Sequence, residues 1–195
     1  MLRKHEKILR EGGMILLVIA AIALSEYYFF QLWRLDWQVP MLYGGDGIYW
    51  VGQVQRSYGD LTASLGWPFY QPPSPYEPNY DLIYDLFVAF VGLFTKDTSV
   101  VFNLYVLVIP FANALAGYAV FRMTGMRRWL AFAFGVTFGL CPYVQQRLAG
   151  HIMLAAVEFV PFSVLLCFWC AEDPTFGRPG KGLLRNPRNW LALAF

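Results

Sequence analysis

The sequence predicts an all-α protein: a polytopic bundle of transmembrane helices with a long first extracytoplasmic loop that carries two juxtamembrane helices. Three observations lead there. Hydrophobic residues make up 57% of the 195-residue chain and charged residues only 14%, where a soluble domain carries roughly 25% charged. Apolar runs near the length a bilayer needs recur along the chain. The basic residues then fall mostly on one side of those runs.

The chain opens on a basic stretch, MLRKHEKILR, ahead of an apolar run over 14–33. No small-residue cleavage site closes that run, and it is close to the ~20 residues that span a bilayer, so it reads as a retained signal-anchor helix rather than a signal peptide. Further apolar runs follow at 82–94, 100–121, 129–143 and 152–171, and another starts at Trp190. The run at 82–94 gives about 20 Å of helix against a hydrocarbon core of ~30 Å. Read as not crossing, it leaves three basic groups on the side of the N-terminus. These are Arg3, Lys4, Lys7 and Arg10; Arg122, Arg127 and Arg128; and Arg178, Lys181, Arg185 and Arg188. Together they hold eleven of the fifteen Lys and Arg, as the positive-inside bias requires of a cytoplasmic N-terminus. A crossing run would put the Arg122–Arg128 group outside. The expected location is the plasma (inner) membrane, multi-pass.

The first outer loop then runs from about 34 to 98 and holds seven of the thirteen acidic residues. Two of its segments, GIYWVGQVQRSYGDL and NYDLIYDLFVAFVGLF, read as helices lying along the membrane. In the first, Ile48, Val51 and Gln55 share a stripe, with Tyr49 and Trp50 suited to the interface. In the second, Asp81 and Asp85 stand four apart on one face. Between them GWPFYQPPSPYEPN carries five prolines, which excludes a regular helix and favours an extended segment. The second outer turn, CPYVQQRLAGH, is short. The chain stops in NWLALAF as a new apolar run begins, and reads as the N-terminal part of a longer protein.

Several function classes have no support. The net charge of +2 and the absence of a basic stripe argue against nucleic acid as a partner. Cys167 and Cys170 form a C-x-x-C, but no second pair completes a zinc site; with Cys141 they read as apolar, membrane-embedded thiols. No phosphate-binding glycine loop and no H-E-x-x-H occurs.

The stretch VPMLYGGDGIYW sets Asp46 among Gly44, Gly45 and Gly47, about a dozen residues past the first span. As a turn it is ordinary, since Asp and Gly favour turns. The stretches VPMLYGGDGIYW, LGWPFYQ, EPNYDLIYDLF, NLYVLVIPFANALAGYAVFR and CPYVQQRLAGHIMLAAVEFVP, in this order, resemble the N-terminal half of the GT-C superfamily of integral membrane glycosyltransferases. The likeness is to its bacterial multi-spanning sugar transferase and YfhO-like branch, and it covers about Leu35 to Pro161.

That resemblance implies transfer of a sugar from a polyprenyl-phosphate donor to an acceptor at the extracytoplasmic face, with inversion. Such a reaction needs a general base near the acceptor hydroxyl and positive charge near the departing phosphate. Asp46 has the depth expected of the base, and the flanking glycines leave room for a sugar ring. Arg147 and His151, at the start of the fourth span, are candidates for the phosphate. Glu158, seven residues on, would lie two turns deeper on the same helix face, where a carboxylate meets a cavity or a partner. Asp81 and Asp85 are candidate substrate ligands, and Tyr76, Tyr80, Trp67 and Phe69 candidate stacking platforms. A divalent cation stays open, because the chain has no D-x-D. The expected partners are a lipid-linked sugar donor and membrane lipid. The alternatives are a non-catalytic lipid-linked sugar transporter or assembly protein, and a fragment inactive by itself.

Overall fold

The computed structural model describes residues 2–44, 46–57 and 82–172. In chain order these form α1 (Leu2–Phe29), a 3-10 turn (Leu32–Arg34), α2 (Gly47–Ser57), α3 (Leu82–Val91), α4 (Thr98–Met123), α5 (Arg128–Gly139), α6 (Pro142–Gly150), α7 (Ile152–Ala155) and α8 (Phe159–Glu172). There is no strand among the described residues. Two helices, over His5–Phe29 and Thr98–Met123, are long and apolar enough to cross a membrane; α8 is apolar but shorter.

Helix α4 is the mast of the structure. Asp97 starts it: the carboxylate accepts from the backbone N–H groups of Ser99 at 2.9 Å and Val100 at 3.1 Å, satisfying two of the donors a helix start leaves open. Gly125 stops it. With φ of +83° it takes the left-handed position after the helix, and Met126 and Gly125 donate back to the carbonyls of Phe121 and Arg122. That is a Schellman closure, which glycine adopts without penalty.

Around the first half of α4 gather the shorter helices. Trp50 and Val54 of α2, Val88 and Val91 of α3, Val144 and Leu148 of α6, and Ile152 and Ala155 of α7 pack on Val101, Phe102, Tyr105, Val106 and Ile109. The expected stripe of α2 therefore differs from the observed one: Trp50 enters the core, while Ile48 stays exposed. Around the second half pack α1, through Met14, Val18 and Ile22, and α5, through Ala131. Helix α1 runs antiparallel to α4, since Glu11 near its start meets Arg122 near the end of α4. The described part of α8 joins the same mast through Leu165 and Trp169 on Val120.

Small residues let α5 press against α4. A Cβ on Gly135 would stand 2.9 Å from the Ala114 carbonyl oxygen, and one on Gly139 2.6 Å from that of Pro110 and 2.7 Å from the Ala114 Cβ. Glycine spaced by four is the pattern that brings two helical backbones into contact in an apolar medium.

The segment expected to form one helix over 152–171 is broken. Its chain leaves helical form after Ala155 and resumes at Phe159. Pro161 is the local cause, because its ring clashes with the carbonyl four residues back, that of Val157. The freed groups are taken up by Asn113 of α4. Its Nδ2 donates to the Ala155 carbonyl at 2.8 Å, and its Oδ1 accepts from the Val157 N–H at 3.0 Å. Glu158 lies at this break, half-buried, rather than on a helical face shared with His151. Ten residues earlier Asn103 does the same for the chain after α1: its Oδ1 accepts from Met41 N–H at 2.8 Å, and its Nδ2 donates to the carbonyls of Val39 at 2.9 Å and Trp37 at 3.2 Å.

Two stability predictions follow from these contacts. Asn113→Leu leaves two buried backbone groups unpaired and is expected to cost about 2–4 kcal/mol in reversible denaturation from detergent micelles. Ser163→Ala, which removes only an exposed hydroxyl contact to Phe159, should change little; equal losses in both would argue against the stitch. Gly139→Ala should destabilise by about 1–3 kcal/mol through overpacking. Gly12→Ala, with nothing within 4 Å of the new Cβ, should be neutral or stabilising by up to about 1 kcal/mol.

Candidate functional site

Gly44, Asp46 and Gly47 of the GGDG segment sit where α6 ends, while Gly45 lies outside the described residues. A helix terminus leaves its last carbonyls without partners, and one of these, that of Gly150, accepts from the Asp46 N–H at 3.0 Å. The turn is tight: Gly47 N–H donates to the Gly44 carbonyl at 3.0 Å, and a Cβ on Gly47 would stand 2.6 Å from the Leu42 carbonyl oxygen. Glycine is required at 47 by that approach. The Asp46 carbonyl then accepts from Trp50 N–H, carrying the chain into α2.

His151 occupies the pivot between α6 and α7. Its backbone N–H donates to the Arg147 carbonyl at 2.7 Å and its carbonyl accepts from Leu154 N–H at 2.9 Å. Trp50 and Val54 of α2 and Val144 and Leu148 of α6 belong to the same buried apolar cluster around α4. The result brings two side chains 105 residues apart into contact: His151 Nδ1 lies 3.1 Å from Asp46 Oδ2. Both side chains are about half exposed, at 53% for His151 and 43% for Asp46, so each keeps a face open to an incoming molecule. Among the described residues the second carboxylate oxygen, Oδ1, makes no hydrogen bond.

Arg147 lies one turn before His151 on α6, in the last turn, where a cation meets the negative end of the helix dipole. Its guanidinium carbon stands 5.5 Å from the centre of the Tyr143 ring, in cation–π contact. Stacking uses the face of the guanidinium and leaves its N–H edge, which makes no hydrogen bond among the described residues, for an anion. Glu158 is separated from His151 by the break after α7. Asp81 lies outside the described residues, as do Trp67, Phe69, Tyr76 and Tyr80, and of Asp85 only the backbone within α3 is described. No group of three or more His, Cys, Asp or Glu side chains that could hold a metal ion occurs among the described residues. Cys141, Cys167 and Cys170 are free thiols.

Several polar residues inside apolar runs were not singled out from the sequence. Glu26 is 1% exposed. Its Oε1 accepts from Gln145 Nε2 of α6 at 3.4 Å, while its Oε2 and the Gln145 Oε1 are buried with no hydrogen bond among the described residues. The signal was available, since the rule that flags Glu158, a carboxylate inside a candidate span, flags Glu26 equally. Glu11 is the other. Arg122 grips it with two N–H donors, at 2.7 and 3.2 Å, Arg128 Nε donates to it at 2.8 Å, and the Tyr118 hydroxyl donates at 2.8 Å. Asn103 and Asn113, each 0% exposed, are amides within an apolar run, and only their distant backbone partners disclose what they do.

No family model matches the chain, and no curated protein or solved structure is similar to it.

Proposed function

We propose that the chain is a multi-pass membrane protein of the plasma (inner) membrane, with a cytoplasmic N-terminus, and that it transfers a sugar from a polyprenyl-phosphate donor to an acceptor at the extracytoplasmic face. The observation that carries this reading is the Asp46–His151 contact. It joins a carboxylate and an imidazole from two separate segments at the end of α6, with Arg147 one turn away. In this reading Asp46 Oδ1 takes the proton of the acceptor hydroxyl as the acceptor oxygen bonds to the anomeric carbon. The bond from that carbon to the phosphate oxygen breaks on the opposite face, which inverts the centre and releases polyprenyl phosphate. His151, whose Nδ1 meets Asp46 Oδ2, stands beside the departing phosphate, and the Arg147 guanidinium supplies the charge that offsets the leaving group. The contact with Asp46 orients the ring.

A second reading, a lipid-linked sugar transporter, draws on the buried Glu26–Gln145 pair, because carboxyl groups within a bundle commonly mark transport pathways. One experiment separates the two. In membranes holding the full chain and a radiolabelled polyprenyl-phosphate sugar, Asp46→Asn should abolish transfer, by about 100-fold or more as for loss of a general base, and leave donor retention unchanged. Arg147→Gln should weaken donor retention instead. Undiminished transfer by Asp46→Asn would remove the base from this position; absence of transfer by the wild type, with sugar crossing the bilayer, would favour the transporter.

A further inference from the structure

At the opposite end of the described bundle from the Asp46–His151 pair lies a second group of charged side chains that the transferase reading does not use. A cleft of about 630 Å³ opens between the first turns of α1 and the α4–α5 turn; its lining includes Arg10, Leu17, Arg122, Arg127, Arg128 and Trp129. We propose that this cleft binds the phosphate-bearing headgroup of an anionic phospholipid.

The charges do not balance within the protein. Glu11 takes Nε and one Nη of Arg122, the Met126 carbonyl takes the other Nη, and Glu11 takes one donor, Nε, from Arg128. Arg10 is tied only to the exposed Glu6 on its own helix. That leaves four guanidinium groups against two carboxylates. The Nη groups of Arg128 and the whole guanidinium of Arg127 have no hydrogen-bond partner among the described residues. Arg127 and Arg128 also stand at the start of α5, the positive end of its dipole, where cations are disfavoured, and the first turn of that helix carries no acidic residue. An anion in the cleft relieves both conditions. Arginine suits a phosphate there because its N–H fork engages two oxygens together.

The walls of the cleft decide between a soluble phosphate and a lipid. Leu17 lines it and belongs to the flank of α1 that also exposes Leu16 and Leu24. Trp129 lines it as well, at 66% exposed. One wall is thus charged and the other runs into an open apolar helix surface, with a tryptophan at the boundary, as at a membrane interface. A headgroup with its acyl chains along α1 fits both walls, whereas a free phosphate uses only one. This inference rests on α1 and α4 lying in a membrane and is independent of the transferase reading.

The test uses the purified full chain in a neutral detergent. Native mass spectrometry and thermal denaturation would follow titration with phosphatidylglycerol, with phosphatidylcholine, and with inorganic phosphate. The double variant Arg10→Gln, Arg127→Gln leaves every Glu11 contact in place, and circular dichroism would verify its helix content. Phosphatidylglycerol is expected to be retained and to raise the melting temperature, with phosphatidylcholine and inorganic phosphate at the same concentration having little effect. The double variant should hold phosphatidylglycerol roughly tenfold to thirtyfold less well, as for the loss of two cations near a membrane surface. Equal retention of both lipids, or equal retention by wild type and variant, would overturn the proposal. Stabilisation by inorganic phosphate matching that of phosphatidylglycerol would overturn the lipid as its source. Should the variant prove unfolded, the comparison of the two lipids on the wild type alone decides the matter.

Discussion

Buried backbone must find hydrogen-bond partners, and two asparagines of α4 meet that requirement at two non-helical stretches of this chain. A helix satisfies its own amides; a chain that leaves helical form inside an apolar bundle exposes donors and acceptors at a cost of several kcal/mol each in a hydrocarbon medium. Asn103 and Asn113 present a carboxamide, which carries the same donor and acceptor as a peptide group, to two such places. Apolar replacements of equal size would leave those groups unanswered.

Both halves of the candidate site hang from these two residues. Asn103 holds residues 37–41, and a few residues on the chain turns through Gly44 and Gly47 to present Asp46. Asn113 holds the Ala155 carbonyl at the end of α7, the short helix that His151 begins. The Asp46–His151 distance is therefore set by one rigid helix acting through two side chains, with the apolar cluster that α2 and α6 share with α4 as the second brace. Loss of either amide would be felt in the Asp46–His151 contact as well as in stability, because each segment would lose its anchor on α4.

Helix α1 has a different economy. Its packed stripe is narrow, Met14, Val18 and Ile22, and is closed at each end by a carboxylate, Glu11 and Glu26. Glu11 is answered by two arginines and a tyrosine, so the ion pair fixes the height of α1 against α4 and α5. Glu26 is answered by the amide Gln145 of α6, the helix that also bears Arg147. Beyond that stripe leucines and isoleucines stand exposed on a helix long and apolar enough to cross a membrane.

The sequence by itself determined the helical class, the two long apolar helices, the turn at GGDG and the candidate residues Asp46, Arg147 and His151. These are legible because apolar periodicity, glycine and charge act over a few neighbouring residues. It also suggested one unbroken helix over 152–171 and a face shared by His151 and Glu158, and there local reasoning failed. Pro161 was visible, but whether a proline ends a helix or bends it depends on what satisfies the freed amides, and Asn113 lies more than forty residues away in the chain. The entry of Trp50 into the core, the approach of Gly135 and Gly139 to α4 and the pairing of Asp46 with His151 were likewise decided only by the tertiary structure. Each is a contact between segments far apart in the chain, and a single sequence carries no record of which distant partner a buried group will meet.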